Sequence, residues 1–387
     1  MNIFIKGLKD IYKKIRLKKD KAFMDDIASF IDFEKVENIK PTKIESITFV
    51  IPQMRAYSGG HTSILRLGTQ LSNLGYAVSY VSHIDQEKEV MKKNAEINLI
   101  NYKGELLTKN ELNVISSDIV IATSWESVFF VKKMSGYKMY LVQDYEPYFH
   151  FFGEVFLIAK KTYELGLHMI SLGNWNKAMI EKNCELDNNS NIDIIDFPYE
   201  KKEYSRIERD YQSYKSKNKF VIAVYIKNVG KRAPYIIQYI LENVKNEFEK
   251  DNITLEIKYY GEEKKFECTA GKNLGKLNKL ELLELYKEAD FGMCASLTNI
   301  SLVPYEMLAT GLPLIEFQDG TYKYFLPENS SILTSFNWRS LYESMKYSIN
   351  NPSIIENRVY TAYSSLEKLS WENSTKQFVR IINKIKK

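Results

Sequence analysis

Cysteine is scarce: Cys184, Cys268 and Cys294 are the only three in 387 residues, far apart, with no CxxC and no Cys/His pairing. Any disulfide scheme leaves one unpaired, so the pattern excludes a disulfide scaffold and fits a reducing compartment. Long apolar runs are missing too. None approaches the roughly 20 residues needed to span a bilayer, and no contiguous signal-type block opens the chain. The expectation is a cytoplasmic protein. There is no G-x-G-x-x-G, so a dinucleotide fingerprint is not supported. Neither an internal repeat nor a low-complexity tract is present.

Net positive charge is absent from most of the chain and concentrated at its start. Residues 1–21 hold eight Lys/Arg against Asp10 and Asp20, a net of +6. The whole chain is +5, so the other residues sum to −1. That is a near-neutral body with a basic leader, which argues against a nucleic-acid-binding domain. Within the leader Phe4, Leu8, Ile11 and Ile15 recur at helical spacing, with Ile5 and Tyr12 widening the stripe. A basic amphipathic helix of this kind lies on an anionic membrane surface, which would make the protein peripheral on the inner face of the membrane, or docks on its own protein with a solvated face. The sequence leaves both open.

What is present is a repeated alternation. Short unbroken apolar runs, "SITFVIP" (46–52), "AVSYVS" (77–82), "INLIN" (97–101), "DIVIAT" (118–123), "KMYLVQD" (138–144) and "HMISLG" (168–173), are separated by amphipathic segments. Continuous rather than alternating apolar character predicts strands covered on both faces, as in a parallel sheet with crossover helices. A polar stretch near 197–218 reads as a linker. The second series is "FVIAVYIK" (220–227), "TLEIKYYG" (254–261), "FGMCAS" (291–296), "LPLIEF" (312–317) and "SILT" (331–334). The predicted organisation is a basic helical segment at 1–40, a Rossmann-like domain at 41–200, a linker at 201–218, a second Rossmann-like domain at 219–368, and a C-terminal helix at 369–387 that crosses back to the first domain. The fold class is α/β, with two doubly wound sheets facing a cleft, where ligands bind in such architectures.

Three strand ends carry chemistry. Gly59 and Gly60 stand between the first strand and an amphipathic helix, where glycines permit close backbone approach by a phosphate or sugar. In "VYIKNVGKRAPYII" Lys227 ends a strand after Tyr225, and Lys231 and Arg232 precede the next helix. Cations there would neutralise a diphosphate and stabilise the charge that develops as it departs. In "LTNISLVPYEMLATG" Asn299 or Ser301 can cap a helix that starts at "VPYEMLA", carries Pro304 in its first turn and ends at Gly311. Its first-turn N–H groups can take phosphate oxygens, and Glu306, one turn inside beside Tyr305, can accept from ribose hydroxyls. On the other side of the expected cleft, "VQDYEPYFHFFGE" offers Asp144, Glu146 and His150 among aromatic rings, a composition suited to a sugar acceptor.

The segments at 59–78, 273–296, 304–317 and 370–378 together resemble, in order and spacing, a GT-B glycosyltransferase of family 4. The stretches 118–133 and 140–175 and the "YIKNVGKR" turn are similar to bacterial rhamnosyltransferases of that family which use dTDP-L-rhamnose. The resemblance implies a retaining, metal-independent transferase with no cofactor beyond its nucleotide-sugar donor, dTDP- or UDP-linked, working on a cell-surface glycan acceptor that can be lipid-linked. It assigns Lys227 and Arg232 to the diphosphate and Glu306 to the ribose, with Gly59, Gly60, Tyr225, Leu302 and Tyr305 on the donor side. The family's Glu-x7-Glu motif would put an acid at 298, where this chain has Thr298, so Thr298, Asn299, Ser301 and backbone amides are expected to hold the donor instead. The absence of a DxD triplet agrees with metal independence. The alternatives are a transferase for another nucleotide sugar and a non-catalytic nucleotide-sugar-binding protein.

Overall fold

The computed structural model describes residues 17–188, 190–199 and 202–387. The apolar stripe from Phe4 to Ile15 lies outside them. Residues 17–30 are helical (α1), and this helix runs past the basic leader. Its Ile27 is 1% exposed, and Phe30 packs on Phe129 and Phe130 at 5.9 and 5.3 Å. No helix among the described residues is long and apolar enough to cross a membrane.

The first half contains β1 (Ser46–Ile51), α2 (Gly59–Asn73), β2 (Ala77–Ser82), α3 (Lys88–Asn98), β3 (Glu105–Leu107), β4 (Ser116–Ala122), α4 (Trp125–Val131), β5 (Ser135–Val142), α5 (Glu154–Lys161), β6 (His168–Leu172), α6 (Asn174–Asn183) and β7 (Ile192–Ile195). The second has β8 (Lys219–Tyr225), α7 (Pro234–Lys250), β9 (Thr254–Tyr260), β10 (Lys272–Asn273), α8 (Lys279–Glu288), β11 (Phe291–Met293), α9 (Leu302–Ala309), β12 (Leu314–Phe317), β13 (Ile332–Thr334), α10 (Trp338–Asn350), α11 (Pro352–Leu366) and α12 (Trp371–Lys384). The sheets run β3-β2-β1-β4-β5-β6-β7 and β10-β9-β8-β11-β12-β13, and every neighbouring pair is parallel. Each order reverses beside its first strand, which opens a crevice at the carboxyl ends of β1/β4 and of β8/β11. This is the two-sheet GT-B architecture.

One strand expectation is corrected, and two strands were not expected. "INLIN" forms no strand: its first two residues close α3, and the strand is Glu105–Leu107. The short β7 and β10 carry too few apolar residues in a row to announce themselves. The polar stretch near 197–218 has no strand, yet it is more than a tether. Tyr211 and Tyr214 are buried in the second core, and Arg209 bonds the carbonyls of Ala289, Thr310 and Tyr286.

The halves meet through side chains as well as along the chain. Helix α12 packs on α2 and β7, its Ser374 donating to the carbonyl of Asp196 at 3.0 Å. Phe197 lies 5.9 Å from Tyr305 and 6.5 Å from Phe325, ring centre to ring centre. At Gly173, just after β6, φ is +85° and an added Cβ would sit 2.2 Å from the Phe325 ring. Both strain and overlap therefore oppose a side chain at this seam. Gly173→Ala is expected to destabilise the protein by about 1–3 kcal/mol in a urea titration; an unchanged midpoint would show that the seam tolerates the extra carbon.

Candidate functional site

A cleft of about 520 Å³ lies between the halves, lined by strand ends from both. Its first-half wall is made by Gly59 and Gly60 after β1 and by Gln143, Asp144 and Glu146 after β5. The second-half wall is made by Tyr225, Lys227, Lys231 and Arg232 after β8 and by Asn299, Ser301, Leu302 and Glu306 around the start of α9.

Gly59 and Gly60 are the first turn of α2 itself rather than a turn ahead of it, because Ser58 caps the helix by accepting from the His61 amide. A Cβ on Gly59 would meet nothing within 4 Å, and one on Gly60 only the Gln143 side chain at 3.5 Å. The glycines thus leave the helix start open to the cleft instead of supplying an unusual backbone angle.

On the opposite wall the charge is positive. Lys227 is half-buried and makes no ion pair among the described residues. Burial lowers its pKa first, and Lys276, Arg232 and Lys231 push the same way against Glu262. A partly desolvated cation among cations is costly unless an anion arrives. Arg232 is 7% exposed; its Nη1 donates to the Ala295 carbonyl at 2.8 Å, and its guanidinium lies 5.9 Å from the centre of the Tyr225 ring. Lys231 bonds Asp144 across the cleft at 2.9 Å.

The start of α9 faces the cleft without a side-chain cap. Ser301 holds the N-cap position with extended backbone, but its side chain does not cap. Its Oγ is buried against the Cys294 thiol with no oxygen or nitrogen partner among the described residues, and the Asn299 Oδ1 has no partner there either, although the Asn299 Nδ2 donates to the carbonyls of Gln143 and Leu172. Open first-turn amides next to orphaned polar atoms are what a helix-start ligand site needs. One turn in, Glu306 is hydrogen-bonded by the Tyr204 phenol. Burial, then the Glu203 carboxylate, pushes its pKa up to about 7, while Tyr204 and Arg66 pull the other way.

Three expected residues do not line the cleft. Tyr305 is 1% exposed and stacks on Tyr199, so it is a core residue of the seam. Thr298 is 4% exposed, and its hydroxyl donates to Asp144 at 2.9 Å. The His150 ring meets Trp125 edge-on at 5.9 Å. Glu146 does line the cleft and is almost fully buried, bonded by the Trp125 amide and the Tyr140 phenol. Burial and then the neighbouring Glu126 raise its pKa to about 8, so at neutral pH it is a largely protonated acid.

Sequence reasoning missed Arg66 and Glu203, a 2.7 Å ion pair in the cleft next to Glu306. Arg66 had a signal, since it is a lone cation between Leu65 and Leu67 of an apolar helix face. Glu203 had none within a run of charges.

No family model matches this sequence and no curated protein matches it. Solved structures do share its fold: a glycosyltransferase from Rickettsia africae (14% identity, covering 89% of this chain and 99% of that one, TM-score 0.65), sucrose-phosphate synthase from Thermosynechococcus elongatus (11%, 88% and 99%, 0.66), and Anabaena HepE in complex with UDP-glucose (12%, 88% and 99%, 0.67). At these identities the likeness is one of fold: two facing sheets, carried over nearly the full length of each chain, with the cleft at their common carboxyl edge.

Proposed function

We propose that the protein is a glycosyltransferase that takes a sugar from a nucleoside diphosphate and places it on a glycan acceptor. The supporting observation is the second-half wall, where the half-buried, unpaired Lys227 stands with Lys231, Arg232 and the open amides of α9. Such a wall suits a diphosphate, and it suits one best when charge builds up on it as the sugar–phosphate bond breaks. These cations and amides do the work a metal would otherwise do, so the reading asks for none. Glu306 accepts from the ribose, and Asp144 and Glu146 face the acceptor side. The donor we favour is dTDP-L-rhamnose, transferred with retention, on the residue resemblance at 118–133, 140–175 and 225–232. A UDP-linked hexose is the second reading, supported by the likeness to a fold relative crystallised with UDP-glucose.

The test offers dTDP-L-rhamnose and UDP-glucose separately, each with and without a glycan-rich membrane extract, and follows the products by mass spectrometry. A deoxyhexose added only when an extract and dTDP-L-rhamnose are both present is the expected result. Donor loss without an acceptor would replace transfer by hydrolysis, and no reaction with either donor would overturn the reading.

A further inference from the structure

Asp144 stands where the two walls touch. One carboxylate oxygen accepts from the Lys231 ammonium and the Thr298 hydroxyl, both at 2.9 Å, and the other accepts from the amides of Asn299 (3.1 Å) and Tyr145 (2.9 Å). Three of these four donors belong to the second half. Asp144 is 8% exposed, and the Lys231 ammonium also lies 3.9 Å from the centre of the Phe149 ring. The Lys231 carbonyl accepts from the Leu297 amide, which ties the lysine's backbone to the turn that leads into α9.

The three cations of the cleft are therefore in different states. Lys227 makes no ion pair among the described residues, Arg232 is bonded to a carbonyl, and Lys231 is neutralised by a residue of the opposite half. We infer that Asp144 is a positioning residue which holds the halves together across the cleft and competes with the donor's diphosphate for Lys231. This rests on the nucleotide-sugar reading above. A diphosphate lying between Lys227 and Arg232 presents charged oxygens in the same cleft that Lys231 lines. Lys231 then trades one anionic partner for another, and Thr298, Asn299 and Tyr145 keep Asp144 bonded after the exchange. Such an exchange costs less than taking up an unpaired ammonium from water, because the lysine is already partly desolvated.

The inference makes an unusual demand: removing the Asp144 charge should tighten diphosphate binding while slowing turnover. By calorimetry Asp144→Asn is expected to bind dTDP or UDP about three- to fivefold more tightly than wild type, the worth of one partly exposed ion pair. The residues proposed to bind the diphosphate all lie in the second half, so a loosened seam leaves them intact. Turnover should drop about tenfold because the halves are no longer drawn into register. The tightening must vanish in a Lys231→Ala background, where there is no cation left to release. Weaker or unchanged binding in Asp144→Asn overturns the inference, as does a gain that survives Lys231→Ala. If the substitution prevents folding, wild-type protein gives the answer: the Lys231 side-chain nitrogen resonance should shift on addition of dTDP or UDP, and a resonance that stays in place overturns the exchange. Wild type that binds neither dTDP nor UDP removes the nucleotide-sugar reading and this inference with it, whereas wild type that binds normally while the variants fail these expectations removes the inference alone.

Discussion

Lys227→Ala is expected to lower turnover by about 100- to 1000-fold and to leave the fold as stable as wild type or more so. Removing one preorganised electrostatic donor from a transition state costs about that factor. The stability side follows from burial without an ion pair among the described residues: Glu262 offsets only part of what burial and the neighbouring cations cost, so the half-buried ammonium is a liability to the folded state. Its deletion should therefore hold or raise the melting temperature, the pattern of a residue kept for function at the expense of stability. Arg232→Ala should lose turnover to a similar degree but behave differently on heating. That change also removes the hydrogen bond to the Ala295 carbonyl and the contact with the Tyr225 ring, about 1 kcal/mol in sum. Steady-state kinetics with a thermal melt on each variant checks both halves of the expectation. Unaltered turnover in Lys227→Ala would remove the diphosphate from this wall.

Glu306→Gln should weaken nucleotide-sugar binding by about 10- to 150-fold at pH 8, the worth of a hydrogen bond to a charged acceptor. The loss should shrink as the pH falls. Burial and then Glu203 push the Glu306 carboxyl up to about 7. Above that value it is a carboxylate and a strong acceptor for ribose hydroxyls; below it, protonated, it offers little more than the glutamine amide would. Wild-type affinity is thus expected to climb between pH 6 and 8, and the variant's profile to stay flat. An intact nucleotide sugar is the right ligand, because a free nucleoside diphosphate has a terminal phosphate that itself titrates near pH 6 and would blur the profile. A variant that keeps the wild-type slope would move the ribose away from Glu306.

The alternation of apolar runs and amphipathic segments was enough to read two parallel sheets, because a strand covered on both faces has to be apolar throughout, and β1, β2, β4, β5, β6 and most of the second series meet that demand. "INLIN" misled for the same reason, since five residues at a helix end can be as apolar as a strand and periodicity does not separate them at that length. Lys227, Arg232 and Glu306 were legible as candidates because each sits at a strand end or helix start, where α/β folds gather their ligands. Tyr305 was not separable from its neighbours: on the short helix α9 one residue step decides between the cleft and the seam with Phe197 and Tyr199.

By itself the sequence determined the class of fold, the two-part division and the loops that face the cleft, because these follow from the local covering of strands and from the residues at their ends. Only the tertiary structure decided which charges meet. Asp144 and Lys231 are 87 residues apart, and Arg66 and Glu203 are 137 apart. Pairing over such distances depends on how the two halves dock, and no local pattern in the chain encodes it. The same docking gave Lys231 a carboxylate, while Lys227 makes no ion pair among the described residues.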